Sequence, residues 1–128
     1  MEGDFVTYDI SVKLKAKGYP QKSFGKYSMV GACYFNDGRF YEDGCIANVE
    51  DCCSAPQIYE VLKWLREKHA THIEISLGRN GWYFKIIQYE YYEEEKEYDC
   101  KLITVSVIND SYEETAIAGI EYVIDNLM

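Results

Sequence analysis

The stretch at residues 54–77, SAPQIYEVLKWLREKHATHIEISL, constrains this chain most, because a helical period gives way to a strand period almost without a linker. Ser54 is placed to act as a helix N-cap with Gln57 as its partner three residues on, and Pro56 suits a first helical turn. Ile58, Val61, Leu62 and Leu65 then recur at helical spacing, with Trp64 widening the apolar face. After His69-Ala70-Thr71 the period drops to two. Ile73, Ile75 and Leu77 point to one side of a strand, and His72, Glu74 and Ser76 to the other.

The flanking segments fit around this unit. Residues 5–17 fit two patterns: Ile10, Val12, Leu14 and Ala16 alternate like a strand, while Val6, Ile10 and Leu14 sit at helical spacing before Gly18. Residues 18–26 read as a loop. A hairpin is expected next, with one strand over residues 27–35, a turn at Asn36-Asp37-Gly38 and a return strand over 39–41. Residues 42–53 are polar and irregular. Beyond the central strand, Gly78-Arg79-Asn80-Gly81 turns the chain into an aromatic strand at 82–92. A turn at 93–97 leads to a third strand at about 98–108, which makes an antiparallel meander. The last segment reads as a helix with a capping box, Ser111 as N-cap and Glu114 opposite it, and an apolar stripe of Ala116, Ile120, Val123, Ile124 and Leu127. The expected fold is α+β: a small antiparallel sheet (meander plus hairpin) with two or three helices packed on one face, in a single domain over residues 1–128.

Charge and composition narrow the functional classes. The 128 residues carry a net charge of −9, and 13 of them are tyrosine, a residue that favours sites where its ring is buried and its hydroxyl wet. From Glu90 onward there are eleven acids against two bases, while residues 1–89 balance eleven against eleven. Such a chain is repelled by nucleic-acid phosphates, and Lys13, Lys15, Lys17, Lys22 and Lys26 form only a modest basic surface. No apolar run approaches a membrane span and the N-terminus is too acidic for a signal peptide, so a cytoplasmic protein with no membrane contact is expected. Five cysteines in that setting are expected to be reduced.

Three groups of residues are candidates for function. Tyr83, Lys85, Ile87, Tyr89 and Tyr91 share one face of the second meander strand, opposite Trp82, Phe84 and Ile86. A tyrosine-rich face suits a protein interface and, less well in so acidic a chain, stacked nucleobases. Otherwise it is ordinary core, covered by the 27–41 hairpin or by the mate in a homodimer. The acidic run at 92–99, with Glu93, Glu94 and Glu95 at its centre, is either a solvated hairpin tip or an imitation of a phosphate backbone. Cys45, Cys52, Cys53, His69 and His72 could in principle supply four soft or borderline ligands for zinc, and Cys53 just before the expected N-cap is the candidate for a low-pKa thiol with His69 or His72 as its base. Their spacing matches no zinc knuckle, and structural cysteine is the weightier reading.

Two segments together resemble a family of small proteins, without an assigned activity, encoded by anaerobic gut bacteria and their phages. The residues that carry the resemblance are Ala55, Pro56, Lys63, Trp64, Leu65, Arg66, Glu67 and His69 in the central unit, then Ser111, Tyr112, Glu113, Glu114, Ile120, Tyr122, Asn126 and Leu127. The resemblance implies a helix ending near Lys17-Gly18-Tyr19, which favours helix for residues 5–17, and a phage or mobile-element setting. It transfers no site residues. The expectation is therefore a non-enzymatic module that needs no cofactor and binds a protein partner through the Tyr83–Tyr91 row and the acidic hairpin.

Overall fold

A computed structural model describes residues 5–21 and 56–128 in full, and the backbone at 25–27, 33–35 and 53–55. The element order is α1 (Tyr8–Ala16), β1 (Gly25–Tyr27), β2 (Cys33–Phe35), β3 (Cys53–Ala55), α2 (Ile58–His69), β4 (Thr71–Gly78), β5 (Gly81–Tyr92), β6 (Glu97–Val105) and α3 (Tyr112–Asn126). Among the described residues this is an α+β fold with two antiparallel three-stranded sheets, ordered β2-β1-β3 and β4-β5-β6.

The first segment is a helix. Thr7 caps it through a bond from the Ile10 N–H to Thr7 Oγ1 at 3.4 Å, and Gly18, at φ +87°, ends it. Ile10 and Leu14 are fully buried on its inner side. The helical spacing prevails over the alternating one because Val12 and Ala16 lie on the exposed side.

The small sheet corrects two expectations. Tyr27 is paired antiparallel with Cys33, so 27–35 is not one strand but parts of two. The expected turn at Asn36-Asp37-Gly38 and the return strand at 39–41 lie outside the described residues. Ser54 is not a helix cap either: its backbone sits in β3, opposite Lys26. The helix can begin only after that ladder and Pro56, so the N-cap is Gln57, and the Glu60 carboxylate accepts the Gln57 N–H at 3.2 Å. Phe5 bridges to Gln57, and the Val6 N–H donates to the Pro56 carbonyl at 3.1 Å, which ties the N-terminal segment to the start of α2.

The larger sheet is the expected meander. The β4–β5 turn is tight, with Gly78 opposite Gly81. Gly81 takes φ +145°, and a Cβ there would lie 2.7 Å from the Asn109 carbonyl oxygen, so only glycine fits where the chain returns past the turn. A bulge at Ile103 shifts the β5–β6 register between Ile86–Thr104 and Ile87–Leu102. Ser111 Oγ accepts the Glu114 N–H at 3.1 Å and opens α3.

All three described helices contribute to one core on a single face of this sheet. Ile10 and Leu14 of α1, Ile58, Val61 and Leu65 of α2, and Ala116, Ile120, Val123 and Ile124 of α3 close over Ile73, Phe84 and Ile86. Gly119 lets α3 approach most closely: a Cβ there would meet Ile73 Cγ2 at 2.9 Å. An exposed ion pair, Lys13 Nζ to Asp125 at 3.0 Å, joins α1 to α3 and raises the lysine pKa through its hydrogen bond.

Candidate functional site

Strand alternation divides β5 into a covered and an uncovered side. Phe84 and Ile86 lie under the helices, while Tyr83, Lys85, Ile87 and Tyr89 are half-buried and Tyr91 is exposed on the outer side. None of these five belongs to the core. The register adds His72 and Glu74 from β4, and Tyr98, Cys100, Leu102 and Val105 from β6, to the same face. Four of them are largely open to solvent: Tyr98 64 %, Leu102 56 %, Val105 49 % and Tyr91 47 %.

The tyrosines form a connected group. Tyr98 stacks edge-on against Tyr89 at 5.8 Å between ring centres and lies tilted against Tyr91 at 4.8 Å. Tyr89 is held at both ends: its N–H donates to the Ala70 carbonyl at 3.0 Å, and its hydroxyl donates to the Arg66 carbonyl in the last turn of α2. Lys85 Nζ lies 6.0 Å from the centre of the Tyr83 ring, the outer limit of a cation–π contact. Beside this group is a shallow depression of about 350 Å³ lined by Arg66, His72, Ile87, Tyr89, Tyr98 and Cys100. Its floor is apolar, and a guanidinium, an imidazole and an exposed free thiol stand round it.

The acidic residues sit at the end of the β5–β6 hairpin. Glu93, Glu94 and Glu95 occupy the turn with Lys96, all exposed, and Lys96 adopts φ +54° to close it. The Tyr92 hydroxyl donates to Glu90 at 3.1 Å, and that bond, together with the carboxylate charge, holds the phenol above its ordinary pKa. The tyrosine row and the acidic turn thus form one continuous surface, running outward along the hairpin.

The cysteine–histidine candidates do not come together. His69 packs its ring on Trp64 at 4.5 Å and lines a depression of about 330 Å³ with Gln88, Glu90, Asp99 and Lys101. His72 opens into the other depression, on the outer face. Among the described residues no group of three or more histidine, cysteine and acidic side chains is placed to hold a metal. Cys45 and Cys52 lie outside the described residues. Cys53 is in β3, ahead of an N-cap that has moved to Gln57, so its backbone is a strand position and not the edge of a helix dipole.

Sequence reasoning missed Arg66, Tyr98 and Cys100. The available signal was the alternation of charged Glu97, Asp99 and Lys101 with Tyr98, Cys100 and Leu102, which marks one uncharged face of a strand. No protein-family model matches the chain, and neither do the curated proteins or the solved structures.

Proposed function

We propose that this protein is a non-enzymatic binding module that acts in the cytoplasm, in a phage or mobile-element setting, and holds a protein partner on the outer face of β4-β5-β6. One observation carries the reading. The sheet leaves a connected row of tyrosines and aliphatic side chains, Tyr83 to Tyr91 with Tyr98, Leu102 and Val105, outside the core. Large aromatic groups with a polar end are the side chains that protein interfaces favour, since they supply contact area at little entropic cost and remain tolerable in water. The adjoining Glu93, Glu94 and Glu95 favour a partner with a basic patch and steer its approach. The same charge disfavours a nucleic acid on this face.

The test is affinity capture from host lysate with wild type, Tyr91→Ser/Tyr98→Ser and Glu93→Gln/Glu94→Gln/Glu95→Gln, each checked for an unchanged melting temperature. The reading expects one partner that is held by wild type, lost by the tyrosine variant, and bound more slowly and with less salt dependence by the glutamine variant. A partner retained equally by all three proteins would place the binding surface elsewhere.

A further inference from the structure

We propose that the open edge of β6 pairs with β6 of a second copy about a two-fold axis through Cys100, joining two three-stranded sheets into one of six. β6 is the terminal strand of its sheet, and residues 97–102 are all exposed. Its backbone is turned for pairing. The Tyr89 N–H is committed to Ala70, on the β4 side. In an antiparallel ladder N–H and C=O of one residue point to the same side, and successive residues alternate. Tyr89 therefore turns away from β6, and its partner Cys100 turns its own N–H and C=O away from β5. By the same alternation Tyr98 and Leu102 also direct theirs to the open edge, and among the described residues no strand accepts them.

The side chains select the register. With Cys100 opposite its own copy, Asp99 faces Lys101 of the mate twice and Tyr98 faces Leu102 of the mate twice. Asp99 and Lys101 are exposed, and neither makes an ion pair among the described residues. An axis through Asp99 or Lys101 would set like charges against each other, and one through Tyr98 would set Glu97 against Asp99. The bulge at Ile103 ends the regular edge, so the pairing is confined to about five residues a side. The acidic turns of the two copies then lie at opposite ends, about 33 Å apart at ~3.3 Å per residue, well beyond the Debye length of about 8–10 Å at physiological salt. Both helix layers fall on one side and both tyrosine faces on the other. This pairing stands apart from the partner-binding reading: capture of a partner can fail while the dimer persists.

Sedimentation equilibrium of the full chain, followed up to about 1 mM protein, tests it. Wild type is expected to dimerise. Lys101→Glu turns two attractions into repulsions and weakens the dimer about tenfold, and the swap Asp99→Lys/Lys101→Glu restores it. Leu102→Pro removes an N–H that β5 does not use, so it abolishes the dimer while the circular dichroism spectrum of the monomer is kept. With diamide as oxidant, wild type gives a covalent dimer that Cys100→Ser does not, because paired strands bring the two Cα atoms within disulfide reach. A wild type that stays monomeric throughout would overturn the proposal. So would a dimer indifferent to Lys101→Glu and Leu102→Pro, or a charge swap that fails to restore association.

Discussion

The two faces of β5 are built from alternate residues of one strand, and both are rich in aromatic and aliphatic groups. On the inner face Phe84 is 5 % exposed and Ile86 fully buried; on the outer face Tyr83, Ile87 and Tyr89 stay half-buried and Tyr91 is 47 % exposed. The difference lies in the end of the side chain. Inside, the groups are pure hydrocarbon beneath three helices. Outside, most of them end in a hydroxyl or an ammonium, so each ring or stem can cover the sheet while its tip stays in water. Hydrophobic content alone does not distinguish a core face from a surface of this kind; the polar tip does.

The largest effect should come from emptying the inner face. Phe84→Ala is expected to lower the unfolding free energy in urea by about 3–5 kcal/mol, while Tyr91→Ala, on the outer face of the same strand, should change it by roughly 0.5 kcal/mol or less. Equal losses at the two sites would mean that the outer face is also core. Gly119→Ala probes the closest approach of α3 to the inner face. Its methyl group would press on the stiff Ile73 side chain, and overpacking of about 1–3 kcal/mol should exceed the gain of roughly 1 kcal/mol in helix propensity. A more stable Gly119→Ala protein would show that the helix can lift away from the sheet.

Two tyrosines sharpen the same contrast by their ionisation. Tyr19 is buried, edge-on to Trp64 at 5.0 Å, and burial first, with the charge of Glu60 behind it, pushes its phenol above the usual 10.0. The folded protein thus favours the neutral phenol. That stability is present in full below about pH 10 and is lost as pH rises through the raised value. Tyr19→Phe should remove this alkaline loss, as followed by urea melts across the range and by absorbance of the phenolate. Tyr92 is raised in the same direction by its bond to Glu90, but it is exposed and screened, so Tyr92→Phe should leave the alkaline profile nearly unchanged.

A small gain is expected where α2 hands over to β4. Ala70 holds φ +48°, a left-handed conformation that side chains resist and glycine accepts. Ala70→Gly should raise the melting free energy by up to about 1 kcal/mol. A loss there would mean that the methyl group packs usefully between the covered side of the sheet and the helix end.

Elements with a strong local period were legible. The stripe at Ile58, Val61, Leu62 and Leu65 is buried as its spacing implies, and so is the stripe at Ala116, Ile120, Val123 and Ile124, with Leu127 at its end half-buried. The meander was also readable, since its glycine turn and its acidic turn lie between runs of alternating residues. The candidate surface was legible in part. The Tyr83–Tyr91 row could be assigned to one face, but Tyr98 and Cys100 join it only through pairing with Tyr91 and Tyr89. Arg66 enters through the hydroxyl of Tyr89, a contact between residues far apart in the chain that no local pattern encodes.

By itself the sequence determined the periods, the main turns and the apolar side of each helix, because these follow from propensity and from the spacing of side chains along one segment. Only the tertiary structure decided where α2 begins. Ser54 has the chemistry of a helix cap, but its backbone is taken by the ladder with Lys26, and the helix starts three residues later at the Gln57 cap. It also decided which side of the meander became core. A sheet with apolar groups on both faces can be covered on either, and the choice fell to Ile73, Phe84 and Ile86 because three helices close over them together. Tyr83 to Tyr91 were left on the outer face, half-buried except for the exposed Tyr91.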